Sequence, residues 1–348
     1  MKKSNSPLHF SFQLITGVIP SGWKGNKSII LLGTGGGGKT TLHRQIYHLK
    51  NQELNTKERH KYAETIQFSV FNNLKTITEH PSVSTKLSSE LSEIASELAS
   101  LVDQYVDSRF EHSYRVKLIN QGHTFQKLVE NIHVREMIES LELYPQLHLN
   151  GDYKYFFKNY TRIVSREYQP TFEDVKRMQL KTVGVIRGEE VEFENYKITI
   201  TDTGGQRNER KKWAKALSQR TDAILFIVSL REPFQMCYED NELNRSKETI
   251  QCFQELLRSE YVNNCPIFVL FTKADQLEEV LKKQKVSFNS IFPEYKGDNH
   301  SLEQIKEFMQ EKYQSLDSNK KVKGYFFINT LNNKDVTDTL RKVLEFKQ

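Results

Sequence analysis

Lys39 and Thr40 follow four consecutive glycines, an arrangement suited to gripping a polyphosphate. The segment reads Gly33-Thr34-Gly35-Gly36-Gly37-Gly38-Lys39-Thr40; an apolar run at 28–32 leads into it and a helix-compatible stretch starting at Thr41 follows. This is GxxxxGK[ST] set between a strand and a helix, the context that motif requires. Without side chains, successive backbone N–H groups can wrap phosphate oxygens, and the following helix N-terminus adds partial positive charge. Lys39 would reach the β- and γ-phosphates, and the Thr40 hydroxyl would ligate Mg²⁺.

Two further motifs stand in the right order behind it. Asp202-Thr203-Gly204-Gly205-Gln206 follows the strand-like run 198–201, the place of the metal-side Asp in a P-loop NTPase. Asp202 would order the Mg²⁺ shell, the Gly205 N–H would meet the γ-phosphate, and Gln206 would orient the attacking water. Thr272-Lys273-Ala274-Asp275 ends the run 266–271. The Asp275 carboxylate can accept from guanine N1–H and N2–H₂, which adenine does not offer, while the Lys273 stem covers the base. The three motifs together predict GTP and GDP as ligands and Mg²⁺ as cofactor, with no role for nucleic acid.

Positioning such loops takes a scaffold of strands and helices. Short β-rich runs at 28–32, 183–186, 198–201, 223–229, 266–271 and 325–328 alternate in the later chain with amphipathic stretches at 241–260 and 301–316. That alternation predicts an α/β fold, a doubly wound, mainly parallel sheet with helices on both faces. Residues 56–174 differ. Leu87, Leu91, Ile94, Leu98, Leu101, Val102 and Tyr105 recur at helical steps, as do Leu128, Ile132, Arg135, Ile138 and Leu141, with almost no strand signal. Pro81, Gly122 and Pro145 cut this stretch into bundle-sized helices. The expected organisation is a short N-terminal segment (1–27), an α/β domain (28–55 and 175–348) and an all-α domain inserted at 56–174.

Composition narrows the alternatives. At 348 residues, with 37% apolar and 27% charged residues, the chain can bury a large core. No run of 18 apolar residues occurs, so no spanning helix is expected. Cys237, Cys252 and Cys265 are too scattered for a disulfide framework or a zinc site. The net charge of +6 is mild, and its lysine clusters at 282–285 and 320–323 lack an aromatic stacking platform.

The segment 202–213, DTGGQRNERKKW, resembles the switch II signature of heterotrimeric G protein alpha subunits. Pro170-Thr171, Asp174-Val175 and Arg177, then Lys181-Thr182 and Gly184, are similar to that family's helical-domain exit and switch I; EDNELNRSKE at 239–248 and FPEYKG at 292–297 match later family segments. The resemblance covers nearly the whole chain. It implies a Ras-like GTPase domain with an inserted helical domain, nucleotide between the two, and a GTPase acting in signal transduction. It makes Thr182 the switch I threonine that joins Thr40 on Mg²⁺. It also pairs Arg210 with Glu248 and makes Trp213 an exposed anchor, so that Arg210, Lys211, Lys212 and Trp213 would face Gβγ or an effector. Gly33, Gly35, Gly36, Gly37, Gly38, Lys39, Thr40, Thr41, Arg177, Thr182, Asp202, Gly205, Gln206, Thr272, Lys273 and Asp275 are thereby expected to bind nucleotide, with Gln206 catalytic.

The chain also departs from the family. Two residues before Lys181, where the family carries a catalytic arginine, stands Gln179; Gly36 replaces the P-loop glutamate that pairs with that arginine. Slow hydrolysis is expected, or, alternatively, a GTP-loaded interaction module. The family's guanine-loop TCAT has only a positional analogue here, Asn329-Thr330-Leu331. Lys2 occupies the position that myristoylation requires as glycine, and no cysteine precedes Cys237. Pro7, Gly17, Pro20, Gly22 and Gly25 disfavour a long N-terminal helix, and the helix expected at 335–348 stops short of a receptor-binding tail. These features predict a cytoplasmic protein uncoupled from receptors.

Overall fold

The computed structural model describes residues 24–346, apart from 50–53, 55, 180–181, 238, 241 and 263–264. Six strands form one sheet in the order β2-β3-β1-β4-β5-β6. They are β1 (Gly25–Leu32), β2 (Val185–Phe193), β3 (Tyr196–Thr203), β4 (Ala223–Ser229), β5 (Ile267–Thr272) and β6 (Val322–Ile328). All neighbours run parallel except the edge strand β2, which pairs antiparallel with β3. β1 therefore begins inside the stretch assigned to the N-terminal segment. β2 begins two residues later than expected and runs seven further, because its polar residues Arg187, Glu190 and Glu192 lie on an exposed edge where alternation carries little burial signal.

The sheet is covered on both faces. Ile30 and Leu32 of β1 point into one core while Ile29 and Leu31 point into the other, the period-two consequence of pleating. β4 is buried at every position, as a central parallel strand should be.

Helices α1 (Lys39–Tyr47) and, in the inserted stretch, α2 (Thr56–Glu79), α3 (Pro81–Ser84), α4 (Ser89–Asp107), α5 (His112–Asn120), α6 (Gly122–Glu130), α7 (Ile132–Glu139), α8 (Tyr153–Lys158), α9 (Tyr160–Ile163) and α10 (Phe172–Arg177) precede the second strand. Later come α11 (Arg207–Arg210), α12 (Trp213–Leu217), α13 (Arg245–Arg258), α14 (Ala274–Lys282), α15 (Leu302–Leu316) and α16 (Asn333–Leu344). Helices α12 to α15 cover one sheet face, and α1 and α16 cover the other. The inserted helices build their own core around Ile66, Val70 and Leu74 of α2 and Leu98 and Val102 of α4.

The apolar repeat from Leu128 to Leu141 is not one helix. Asn131 caps a new helix, accepting from the His133 N–H at 2.9 Å, and Ile132 lies 63% exposed. Gly122 does mark a break: α5 ends at Asn120 and α6 starts at Gly122, where Val164 packs against the place a side chain would take. α10 straddles the expected boundary at 174/175. Arg44 of α1 donates to the Val175 and Met178 carbonyls at 3.0 and 2.8 Å, which ties α10 to the α/β body.

The two bodies also meet through charged side chains. Lys154 lies 3.0 Å from Glu279, Lys283 lies 3.4 Å from Glu142, and Lys285 donates to Ser140 at 2.7 Å. Among the described residues no helix is long and apolar enough to cross a membrane. The expectation of a poor N-terminal helix falls on residues 1–23, outside the described residues, as do the last two residues of the expected C-terminal helix.

Candidate functional site

In an open parallel sheet, ligands sit beyond the carboxyl ends of the strands where the strand order reverses. Here β1 lies between β3 and β4, and every motif leaves a carboxyl end: Gly33 after β1, Asp202 and Thr203 at the end of β3, Thr272 at the end of β5, Asn329 after β6. A cleft opens there between the sheet and the helical body. It is lined from the α/β side by Gly35, Gly36, Gly38, Lys39, Thr40, Thr41, Thr182, Gly205, Gln206, Lys273 and Asp275, and across from them by Asn150, Tyr153 and Lys154.

At the phosphate end, the Lys39 ammonium donates to the Gly33 and Thr34 carbonyls at 2.8 and 2.7 Å. Burial pulls its pKa down to about 8, with nearby Asp202 opposing the shift. Such a lysine, poised against loop carbonyls, gains most from an incoming anion. Gly205 stands against this loop: a Cβ there would lie 2.4 Å from Lys39 Nζ and 2.6 Å from the Gly33 oxygen.

Beside it three oxygens converge. Thr40 and Thr182 donate to the same Asp202 carboxylate oxygen at 2.7 and 3.0 Å, and their hydroxyls are 2.8 Å apart. The other oxygen, Asp202 Oδ1, is buried without a hydrogen-bond partner. A buried orphan acceptor beside hydroxyl and carboxylate oxygens fits a hard divalent cation such as Mg²⁺, which takes few protein ligands and keeps water and phosphate for the rest.

At the other end, Asp275 lies exposed in the first turn of α14, facing the cleft. Lys273 adopts a left-handed backbone (φ 60°) and donates to the Gly36 carbonyl at 2.9 Å; burial, reinforced by Arg245, lowers its pKa to about 8. Thr272 differs from expectation. It is fully buried and donates to the Gly37 carbonyl at 2.7 Å, so it braces the phosphate loop rather than lining the cleft. Gly33 and Gly37 likewise do not line it; their part is backbone shape. Asn329, Thr330 and Leu331 do line it.

The two segments that would respond to a γ-phosphate are joined. The Gly204 N–H donates to the Gly184 carbonyl at 2.9 Å, and Glu209 accepts from both the Gly184 N–H and Lys212. Arg210 reaches the Gly205 carbonyl (3.0 Å) and Glu248 (3.0 Å), and Arg207 adds a second contact to Glu248 at 2.7 Å. Burial alone would push the Glu248 carboxyl up, but these arginines hold it below the usual range.

Trp213 corrects the expectation of an exposed anchor. It is 8% exposed, and its indole N–H donates to the Gly204 carbonyl at 2.8 Å; an indole packed into the core needs such a partner. Of Arg210, Lys211, Lys212 and Trp213, Lys211 and Lys212 are the exposed residues.

Arg177 lines the cleft, yet its guanidinium is committed to Asp152 at 2.5 Å and Glu173 at 2.8 Å and stacks on Tyr155. Gln179 also lines it, and its side-chain oxygen accepts the Gly151 N–H at 3.3 Å.

Two further arginines of the cleft belong to none of the three nucleotide motifs. Arg245, at the start of α13, donates to Gly35 O and Gln235. Arg231, 6% exposed, lines the cleft with its Nε lacking a hydrogen-bond partner. For Arg245 a signal existed, since it lies inside the segment 239–248; for Arg231 none did.

The matching family model, G-protein alpha subunit, spans residues 21–346. The chain is 28% identical over 326 residues to the guanine nucleotide-binding protein alpha-6 subunit of Dictyostelium discoideum, covering 92% of this chain and 89% of that protein. It is 26% identical to the human guanine nucleotide-binding protein subunit alpha-13, covering 90% and 83% respectively. With the alpha-2 subunit of Caenorhabditis elegans it shares 34% identity over 174 residues, 49% of this chain and 47% of that one. A phosphate loop, a corner of three oxygens suited to a divalent cation, two interlocked segments beside it and an inserted helical body thus occur in a chain that belongs to the G protein alpha subunit family of guanine-nucleotide-binding, signal-transducing GTPases.

Proposed function

We propose that this chain binds GTP or GDP with Mg²⁺ in the cleft and hydrolyses GTP slowly as a switch, with Gln179 standing where the family's catalytic arginine would act. The observation that carries this is the pairing of an intact phosphate and metal corner with a neutral Gln179 held on the Gly151 N–H. Thr40, Thr182 and Asp202 would hold the cation, which supplies charge neutralisation at the β- and γ-phosphate oxygens. Lys39 would leave its two loop carbonyls for those same oxygens. Gln206 would align water, and Asp275 would select the base.

Nucleotide identity is tested by extracting the protein as purified and resolving what it carries. The slow step is tested by Gln179→Arg in single-turnover assays. For this class, rates run from about 4 × 10⁻⁴ s⁻¹ without an arginine to about 10⁻² s⁻¹ with one in cis, so the variant is expected to rise toward the upper figure. No acceleration, with phosphate release undetectable in both proteins, would support a GTP-loaded interaction module instead.

Gly205→Ala should uncouple the switch. Its methyl would overlap Lys39 and the Gly33 carbonyl, forcing the segment away from the γ-phosphate. Because Trp213 hangs on the adjacent Gly204 carbonyl, its fluorescence should change when a GTP analogue replaces GDP in the wild type and stay flat in the variant. Equal responses would detach the segment from the nucleotide. For a Gβγ or effector partner, Lys211 and Lys212 are the contact residues this arrangement favours.

A further inference from the structure

We infer that Arg245 supplies a transition-state guanidinium in cis, from α13, that restores part of the stabilisation lost with the arginine at position 179, so that hydrolysis stays slow and Gln179→Arg still accelerates it; this rests on the GTPase reading above and deepens it. The geometry starts at Gly36. A Cβ at that position would lie 2.7 Å from Arg245 Nη2, so the glycine is what admits the guanidinium to the phosphate loop. Arg245 donates to the Gly35 carbonyl through Nη2 and to Gln235 Oε1 through Nη1, at 2.8 Å for the latter. Gly35 is also the residue that Gln206 approaches, with Gln206 Cγ 3.6 Å from where its Cβ would be. The water-orienting amide and a guanidinium thus flank the same short stretch of loop, next to Lys39.

A buried network holds Arg245 in place. Glu232, fully buried, accepts from Thr34 of the phosphate loop at 3.1 Å and from Thr249 of α13 at 2.7 Å. Thr249 also donates to the Arg245 carbonyl at 3.0 Å. The first turn of α13 is therefore locked to the loop, and its arginine is aimed before any ligand arrives. Such preorganised charge is what stabilises developing negative charge most effectively. A guanidinium has five donors, of which these two contacts use two.

In the reaction, the water oxygen forms a bond to the γ-phosphorus as the bond from that phosphorus to the β–γ bridging oxygen breaks. The electron pair goes to the β-phosphate of GDP, and the water proton leaves with inorganic phosphate. Arg245 would face the charge that spreads over the γ-oxygens during this exchange. The loss of the P-loop glutamate and of the switch I arginine then has one account: the glutamate's removal vacates the place where the second arginine enters.

The test uses the full chain with Arg245→Ala and Arg245→Lys. Arg245→Ala should slow single-turnover GTP hydrolysis about fivefold or more and weaken binding of aluminium fluoride to the GDP form by a similar factor, because that ligand mimics the transition state. GDP affinity should hold near wild type, whereas Tm should fall, because the fully buried Glu232 loses the cation 3.8 Å away. Arg245→Lys keeps charge beside Glu232 but loses the planar fork, so it should fold normally and recover only part of the rate. Adding Gln179→Arg to Arg245→Ala should restore hydrolysis. Unchanged hydrolysis and aluminium fluoride binding in Arg245→Ala would overturn the proposal, as would losses in GDP affinity as large as those in rate. Failure of the wild-type protein to bind labelled GTP would overturn the underlying GTPase reading instead.

Discussion

Asp275→Asn is expected to move the protein from guanine to xanthine nucleotides. Guanine offers N1–H and N2–H₂, two donors suited to a carboxylate. Xanthine keeps N1–H but carries an oxygen at C2, which a carboxylate repels and an amide N–H₂ satisfies. Asp275 lies at the mouth of the first turn of α14, with the Lys273 stem beside it, so its change alters recognition without disturbing a core contact. A site built to hydrogen-bond a ligand rejects the analogue lacking that bond by about 10⁴-fold. GTP affinity should fall by that order, xanthosine triphosphate affinity should rise, and ATP should compete with neither protein. Competition against a fluorescent nucleotide measures all three, and wild-type affinity for ATP equal to that for GTP would remove Asp275 from base recognition.

The second large effect is on rate. Gln206→Leu should leave nucleotide affinity intact and slow single-turnover hydrolysis by about 10²-fold, the usual consequence of losing the alignment of one reacting group. Gln206 precedes α11 with an extended backbone and its side chain makes no capping bond. The substitution therefore removes no hydrogen bond on which the fold depends. Phosphate release at the wild-type rate would assign the water to another side chain.

What could be read from sequence follows the strength of the local physics. The phosphate loop was legible because four glycines, a lysine and a threonine at fixed spacing between a strand and a helix have few other uses. The central strands were legible for the same reason: β4 is apolar at nearly every position because both sheet faces are covered. The edge strand β2 was half missed, since exposure removes the alternation that announces it. The paired helices α6 and α7 read as one because Asn131 ends one apolar stripe in near register with the next.

The site shows the same division. Thr272 and Trp213 have side chains whose polar atoms suit a ligand as well as they suit a backbone carbonyl, and only packing reveals that Gly37 and Gly204 own them. Arg245 lies more than 200 residues from the loop it touches; nothing in local spacing ties an arginine at the start of a helix to a glycine so distant. Its partner signal was the absence at Gly36, which is legible only once the space it leaves is seen filled.

The charged contacts between the bodies, Lys154 with Glu279 and Lys283 with Glu142, have a thermodynamic consequence for the bound state. The partly exposed Lys154–Glu279 pair contributes on the order of 1 kcal/mol or less, and the buried Glu142 loses in desolvation much of what Lys283 returns, so these contacts hold the two halves together only weakly. A ligand lying in the cleft contacts both halves and adds its own binding free energy to closure. Linkage then acts in both directions: whatever pries the halves apart loosens the ligand by the same factor by which the ligand opposes the prying. The nucleotide is in this sense a structural member of the fold, and a regulator of this protein need never touch the phosphates to set how long they stay.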